Sequence, residues 1–205
     1  MLPFVRLLLD HLRDVYLASN DIHAIVNDLA LDEDRAAAIL ATYYDAQCTL
    51  ALSSSTSESV PRRPSDTGTA SALFNNPSVA LVALFGGQGN VDDYFSELTR
   101  LHSTYGALLE PLFGRCVLAL SSQVSSDEAA ATGLYSRGFD IAQWIKSPET
   151  RPPLSYLVSA PISMPLIGLT QLLAFWVVVQ VLRLPSFGEL LSRFKGTTGH
   201  SQGTC

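Results

Sequence analysis

From Leu2 to Ala18, Phe4, Val5, Leu8, Leu9, Leu12, Val15 and Tyr16 recur at helical intervals, with Arg6, Asp10, Arg13 and Asp14 between them. That spacing predicts an amphipathic helix. Ser19-Asn20-Asp21 stops it and offers caps for a second helix, Ile22 to Leu29. Asp32, Glu33 and Asp34 then crowd the start of a third, where negative charge suits the macrodipole, and it continues to about Leu52. The polar stretch that follows, beginning Ser53-Ser54-Ser55-Thr56-Ser57 and containing Pro61 and Pro64, has no period and cannot bury enough apolar surface to offset its ordering entropy. The chain therefore divides into a helical unit over 1–52, a disordered linker over 53–78 and a larger domain over 79–205.

The larger domain opens on a different pattern. Val79 to Phe85 is continuously apolar and runs into Gly86-Gly87-Gln88-Gly89-Asn90, which reads as a buried parallel strand entering a glycine-rich turn. Val91 to Leu109 predicts a helix, with Asp92 and Asp93 in its first turn, and Leu112 to about Val124 another. Ser125-Ser126-Asp127-Glu128 supplies a cap, and Gly138 to Ile145 a further helix ended before Pro148. Short strands are expected around Tyr156–Val158 and Lys195–Thr198. Between them, Leu166 to Leu182 carries no charge. As a helix it would cover about 25 Å, short of the roughly 30 Å of a bilayer core. Gln171 and Gln180 dilute it, so it is expected to be a buried core helix rather than a membrane span.

Bulk properties narrow the classes. A chain of 205 residues has room for one sizeable core. A net charge of −6 gives no electrostatic case for nucleic acid. Cys48, Cys116 and Cys205 are far apart and odd in number, without the spacing of a disulfide framework or a zinc site. The first apolar run is broken by Arg6 and Asp10, and no small-residue cleavage site follows, so it does not read as a secretory signal. A cytoplasmic protein is expected. Gly86-x-x-Gly89 lacks the third glycine of a dinucleotide fingerprint and the Lys-Ser/Thr of a phosphate loop.

Chemistry concentrates at the carboxyl end. Gly199-x-Ser201-x-Gly203 has the spacing of a nucleophile elbow, in which a strand turns sharply into a helix and exposes a serine hydroxyl. Missing Cβ atoms at the glycines permit the tight turn. Taken together, Phe85-Gly86-Gly87-Gln88-Gly89-Asn90 with Asp92-Asp93-Tyr94-Phe95, then Pro161-Ile162-Ser163 with Pro165-Leu166-Ile167-Gly168, then Thr198-Gly199-His200-Ser201-Gln202-Gly203, resemble the fungal fatty acid synthase β subunit in its N-terminal acetyltransferase domain. That domain is related to starter-unit and malonyl transacylases. Asn20-Asp21-Ile22-His23-Ala24 resembles the same subunit further upstream.

The resemblance implies an α/β fold: part of an acyltransferase core of the α/β-hydrolase-like kind, with parallel strands, preceded by the small helical unit. It implies acyl transfer, with acyl-coenzyme A as substrate and no tightly bound cofactor or metal. Acyl carrier protein and the other synthase subunits would be partners, with no nucleic acid and no membrane. By position, Ser201 would be the nucleophile, the backbone N–H groups of Gln202 and Gln88 the oxyanion donors, and Gln171 a residue near the pocket. A serine hydroxyl needs a base, and a positioned histidine ordinarily contributes about 10²–10⁴-fold. The histidines are His11, His23, His102 and His200, and the last, adjacent to Ser201, would point to the opposite face of a strand. In the family the catalytic histidine lies far downstream, so the chain reads as a fragment with little activity alone. A second reading takes it as a non-catalytic remnant or docking fragment of the synthase.

Overall fold

Most of the described residues fold into helices. The computed structural model describes residues 2–18, 20–54, 74, 76, 78–86 and 91–199. Among them the order is α1 (Leu2–Val15), α2 (Ile22–Asp28), α3 (Glu33–Ser54), β1 (Leu81–Phe85), α4 (Val91–Val124), α5 (Asp127–Thr132), α6 (Ile141–Lys146), α7 (Leu154–Leu157), α8 (Ala160–Val181), α9 (Phe187–Leu191) and β2 (Phe194–Gly199). The fold is thus mostly helical with a two-stranded parallel sheet, compatible with an α/β class. The stretch read as a linker lies, over 55–73, outside the described residues.

The chain forms two compact units. The first comprises Met1–Ala80, Ser103–Leu108 and Val177–Arg193. The cap of α2 follows the sequence reading. The Asp21 carboxylate accepts from the N–H groups of His23 (2.8 Å) and Ala24 (3.0 Å), filling orphan donors at the start of α2. Asp32 does the same for Arg35 N–H at 2.9 Å before α3. Val26, Leu40 and Tyr44 form the buried cluster of this unit, with Ile22, Tyr105 and Val181 among the residues packed on it. No residue of α1 is buried.

The second unit comprises Leu81–His102, Leu109–Trp176 and Phe194–Cys205. Leu98, Leu109, Ile141, Ile162, Leu166 and Leu173 are fully buried in it. Trp144 meets Phe139 edge-on at 5.9 Å and Tyr156 at 6.5 Å, a geometry favoured by the ring quadrupoles. Ser126 caps α5, its hydroxyl accepting from Ala129 N–H at 3.2 Å. The same helix ends on Gly133 at φ +67°. An added Cβ there would meet nothing within 4 Å, so Gly133→Ala tests backbone strain alone. It is expected to lower stability by about 1 kcal/mol, read as a small drop in the denaturant midpoint with an unchanged slope.

Several expectations are corrected. Two helical segments are present over 91–124, within α4, but the break between them falls at Tyr105 (φ −122°, ψ 18°) rather than at 110–111, and Pro111 lies inside the second segment. Proline lacks a donor and crowds the carbonyl four residues earlier, so Pro111 disturbs the turn just after that break. Tyr156–Val158 is no strand. Tyr156 and Leu157 donate to the Pro153 carbonyl at 2.9 and 3.3 Å, closing α7 through local bonds. The apolar run at β1 is parallel as expected but not buried throughout: Ala83 is 7% exposed, whereas Val82 and Leu84 are 57% and 75% exposed. Composition cannot tell a strand covered on both faces from one covered on one.

Helix α8 starts at Ala160, six residues before the expected Leu166. Pro161 falls in its first turn, where no intrahelical donor is lost. At 22 residues it is about 33 Å long, which removes the length argument against a membrane span. It is apolar enough to cross a bilayer, and half of its most apolar window is buried within the protein. Ser163 and Thr170 are buried on it, and the Thr170 hydroxyl donates to the Leu166 carbonyl at 2.9 Å.

Candidate active site at the ends of the parallel strands

A strand of apolar side chains ending in glycine, and a second ending Thr197-Thr198-Gly199, lie side by side in the second unit. Leu81 pairs with Phe194, Val82 with Gly196, Ala83 with Thr197, Leu84 with Thr198 and Phe85 with Gly199. The register shifts once, between Leu81 and Val82, leaving Lys195 as the extra residue of β2. Parallel strands discharge their chains at the same end. Gly86, which opens the glycine-rich turn, therefore leaves β1 where Gly199, first of the GxSxG glycines, closes β2.

Helix α8 supports this end. Phe175 packs at 6.0 Å on Phe85 and stacks at 5.8 Å on Phe194, so one ring touches both strands. One turn earlier on the same face, the Gln171 side-chain amide donates to the Gly86 carbonyl at 2.6 Å. That bond anchors the first carbonyl of the turn. It joins residues 85 positions apart, which no local pattern could have announced; Phe175 and Phe194 were likewise not singled out by sequence reasoning, being apolar residues among many.

Gln88, Ser201 and Gln202 lie outside the described residues, as does His200. The other histidines have their own surroundings. His11 meets the Tyr16 ring at 6.2 Å, His102 the Phe113 ring at 5.0 Å, and His23 two tyrosines of the first unit. Two polar groups of the second unit are held by packing and backbone contacts. The Tyr94 hydroxyl donates to the Leu157 carbonyl at 2.9 Å, and burial pushes its pKa up to about 12. The Arg151 guanidinium lies over the Phe95 ring at 4.3 Å and donates to the Trp144 carbonyl at 3.3 Å. Among the described residues no group of three or more His, Cys, Asp or Glu could hold a metal ion.

The arrangement brings together Gly86 and Gly199, the described residues that lead into the GGQGN and GxSxG segments.

Residues 83–205 match the family model described as the starter unit:ACP transacylase in aflatoxin biosynthesis. Residues 1–50 match the N-terminal domain in fatty acid synthase subunit beta. The chain is 37% identical over 206 residues to the fatty acid synthase subunit beta of Saccharomyces cerevisiae, covering 97% of this chain and 9% of that subunit. It is 38% identical over 203 residues to the fatty acid synthase beta subunit aflB of Emericella nidulans, covering 98% of this chain and 9% of the relative. With the Schizosaccharomyces pombe subunit it shares 38% identity over 190 residues, 92% of this chain and 8% of that one. The chain thus spans about a tenth of the length of these relatives. A transacylase model over more than half its residues, with the β-subunit N-terminal domain before it, places the chain in the family of fungal fatty acid synthase β subunits.

Proposed function

We propose that this chain contributes the nucleophile and oxyanion donors of an acyl transfer in fatty acid synthesis, on an α/β-hydrolase-like core. Ser201 attacks the thioester carbonyl of an acyl-coenzyme A, acetyl in the simplest case. The carbon–sulfur bond breaks, coenzyme A leaves as its thiol, and the acyl group remains as a Ser201 ester. The thiol of an acyl carrier protein then takes the acyl group and restores the hydroxyl. Backbone N–H groups at Gln88 and Gln202 stabilise the oxyanion of each tetrahedral intermediate. The observation that carries the reading is the pairing of Phe85 with Gly199, since Gln88 follows the one by three residues and Ser201 the other by two.

Gln171 is assigned as the residue that positions the turn. Gln171→Leu removes its bond to Gly86 and should slow Ser201 acylation about tenfold, the equivalent of about 1.4 kcal/mol. Fold stability should change far less, which thermal unfolding of the same sample would establish. No histidine of this chain is assigned as base, so the isolated chain should transfer acyl groups close to background. Exchange of this sequence for the matching segment of the S. cerevisiae subunit, assayed with labelled acetyl-coenzyme A and carrier protein, tests the reading. Label on Ser201 that moves to the carrier supports it; transfer with no label on Ser201 overturns it.

The helical unit and the exposed apolar residues of α1 and β1, Phe4, Leu7, Val82 and Leu84 among them, favour one further reading. In it the chain docks with other synthase subunits and does no chemistry, and the same assay would show Ser201→Ala without effect. We place the protein in the cytoplasm, with α8 as a core helix. Release by carbonate from expressing cells is the expected result, and retention in the membrane fraction would refute that placement.

A further inference from the structure

Away from the strand ends, the first unit holds a cluster of ionisable groups that the proposed transfer does not use. His23, in the first turn of α2, is partly buried among the rings of Tyr44 (5.8 Å) and Tyr105 (6.1 Å). Those two rings also meet each other at 5.7 Å. The hydroxyls of Tyr105 and Tyr44 lie 3.2 and 3.4 Å from His23 Nε2. On the other side of the ring, Nδ1 lies 3.4 Å from the Asp21 carboxylate. Asp21 is already committed to capping α2 through the same oxygen.

Hydrogen-bonding capacity fixes the tautomer. A carboxylate only accepts, so Nδ1 carries the proton and Nε2 offers the single lone pair toward which both tyrosine hydroxyls point. Tyr105 is the residue at which α4 leaves helical geometry. The neutral imidazole thus ties α2 and α3 to the break in α4, all within one compact unit.

We propose that His23 is a proton-sensitive clasp, whose neutral ring holds Tyr44 and Tyr105 together and whose protonation loosens the packing of α2 on Ser103–Leu108. Protonation turns Nε2 from acceptor into donor, so both hydroxyls must rotate and find new acceptors. It also places a cation between two tyrosine rings with one carboxylate, Asp21, that is already shared. The groups facing the cluster are Asp21 at the cap of α2, Tyr43 and Tyr44 from α3, and Tyr105 from α4. Arg183, after α8, favours the ionised Tyr44 hydroxyl, though burial outweighs it and holds that phenol protonated well above its ordinary range.

The direction follows. Burial lowers the His23 pKa below its ordinary 6.5, only partly opposed by Asp21. A group lowered on folding binds its proton more readily in the open state. The stability it contributes is fully present above 6.5 and is lost as pH falls through that value toward the lowered one. Arginine and carboxylate pairs elsewhere in the unit, such as Arg13 with Asp10 and Asp14, are exposed and should add little.

Hydrogen exchange of the full chain, corrected for intrinsic rate, tests the clasp. Between about pH 7.5 and pH 5 the amides of α2 and 103–108 should lose at least about threefold in protection, against little change in α5. His23→Gln keeps a neutral acceptor without a titrating proton, and its protection over the same segments should stay flat. An NMR titration of the wild-type imidazole gives the second reading, with a pKa below 6.5 expected. Unchanged wild-type protection, an equal loss in His23→Gln, or a titration at or above 6.5 would each overturn the proposal.

Discussion

Ser201→Ala should abolish acyl loading, lowering transfer by at least about 10³-fold and by as much as about 10⁶-fold in the exchanged S. cerevisiae subunit. The size follows from what the hydroxyl does. In the proposed transfer it alone forms the covalent bond that divides one difficult thioester exchange into two easier ones. Backbone donors and substrate binding survive the change, so a residual rate above solution is expected rather than none. The readout is label bound to protein after a brief exposure to acetyl-coenzyme A, followed by label on the carrier. Label on the protein should vanish and label on the carrier should fall to that residual level, while the unfolding free energy should stay within about 0.5 kcal/mol of the parent. A variant that loads and transfers as well as the parent would remove Ser201 from the chemistry.

Leu173→Ala should be the most damaging single truncation in α8. Leu173 is fully buried in the helix that also carries Gln171 and Phe175, so the deletion leaves a cavity as well as losing transfer free energy. About 2–5 kcal/mol is expected, a large share of the total stability of a domain. Urea unfolding in aqueous buffer reads it directly. The result also bears on where α8 resides. In a soluble core the substitution lowers the denaturant midpoint; in a membrane-spanning helix it would leave an aqueous transition unaffected. Leu172→Ala provides the contrast, since its side chain is 38% exposed, and should cost well under half as much.

The parts of this molecule that the sequence announced are those governed by neighbours in the chain. Asp21 and Ser126 cap helices through a short side-chain acceptor just before the first turn, a relation complete within four residues; Asp32 was legible only as favourable charge at the start of α3. Lys195–Thr198 was readable as strand for similar reasons. The longer relations were not. The break in α4 falls at Tyr105, six residues before its proline. Helix α8 starts at Ala160, with Pro161 in its first turn and Pro165 inside it. Exposure of Val82 and Leu84 depends on how many strands flank β1, a property of the assembled sheet. Gln171 was placed near a pocket by family resemblance, but its bond to Gly86 is a contact across 85 residues, visible only once α8 lies along both strands. The cluster at His23 includes a contact across 82 residues, and nothing near residue 23 reveals that Tyr105 will reach it.

The central claim is that parallel pairing of β1 and β2 delivers the glycine-rich turn and the serine bend to one place. Spin labels at Gln88→Cys and Ser201→Cys, in a chain with Cys48, Cys116 and Cys205 replaced by serine, measure it by electron–electron dipolar coupling. Strand spacing and chain reach predict a backbone separation inside about 20 Å. A distribution centred beyond about 30 Å would contradict the account.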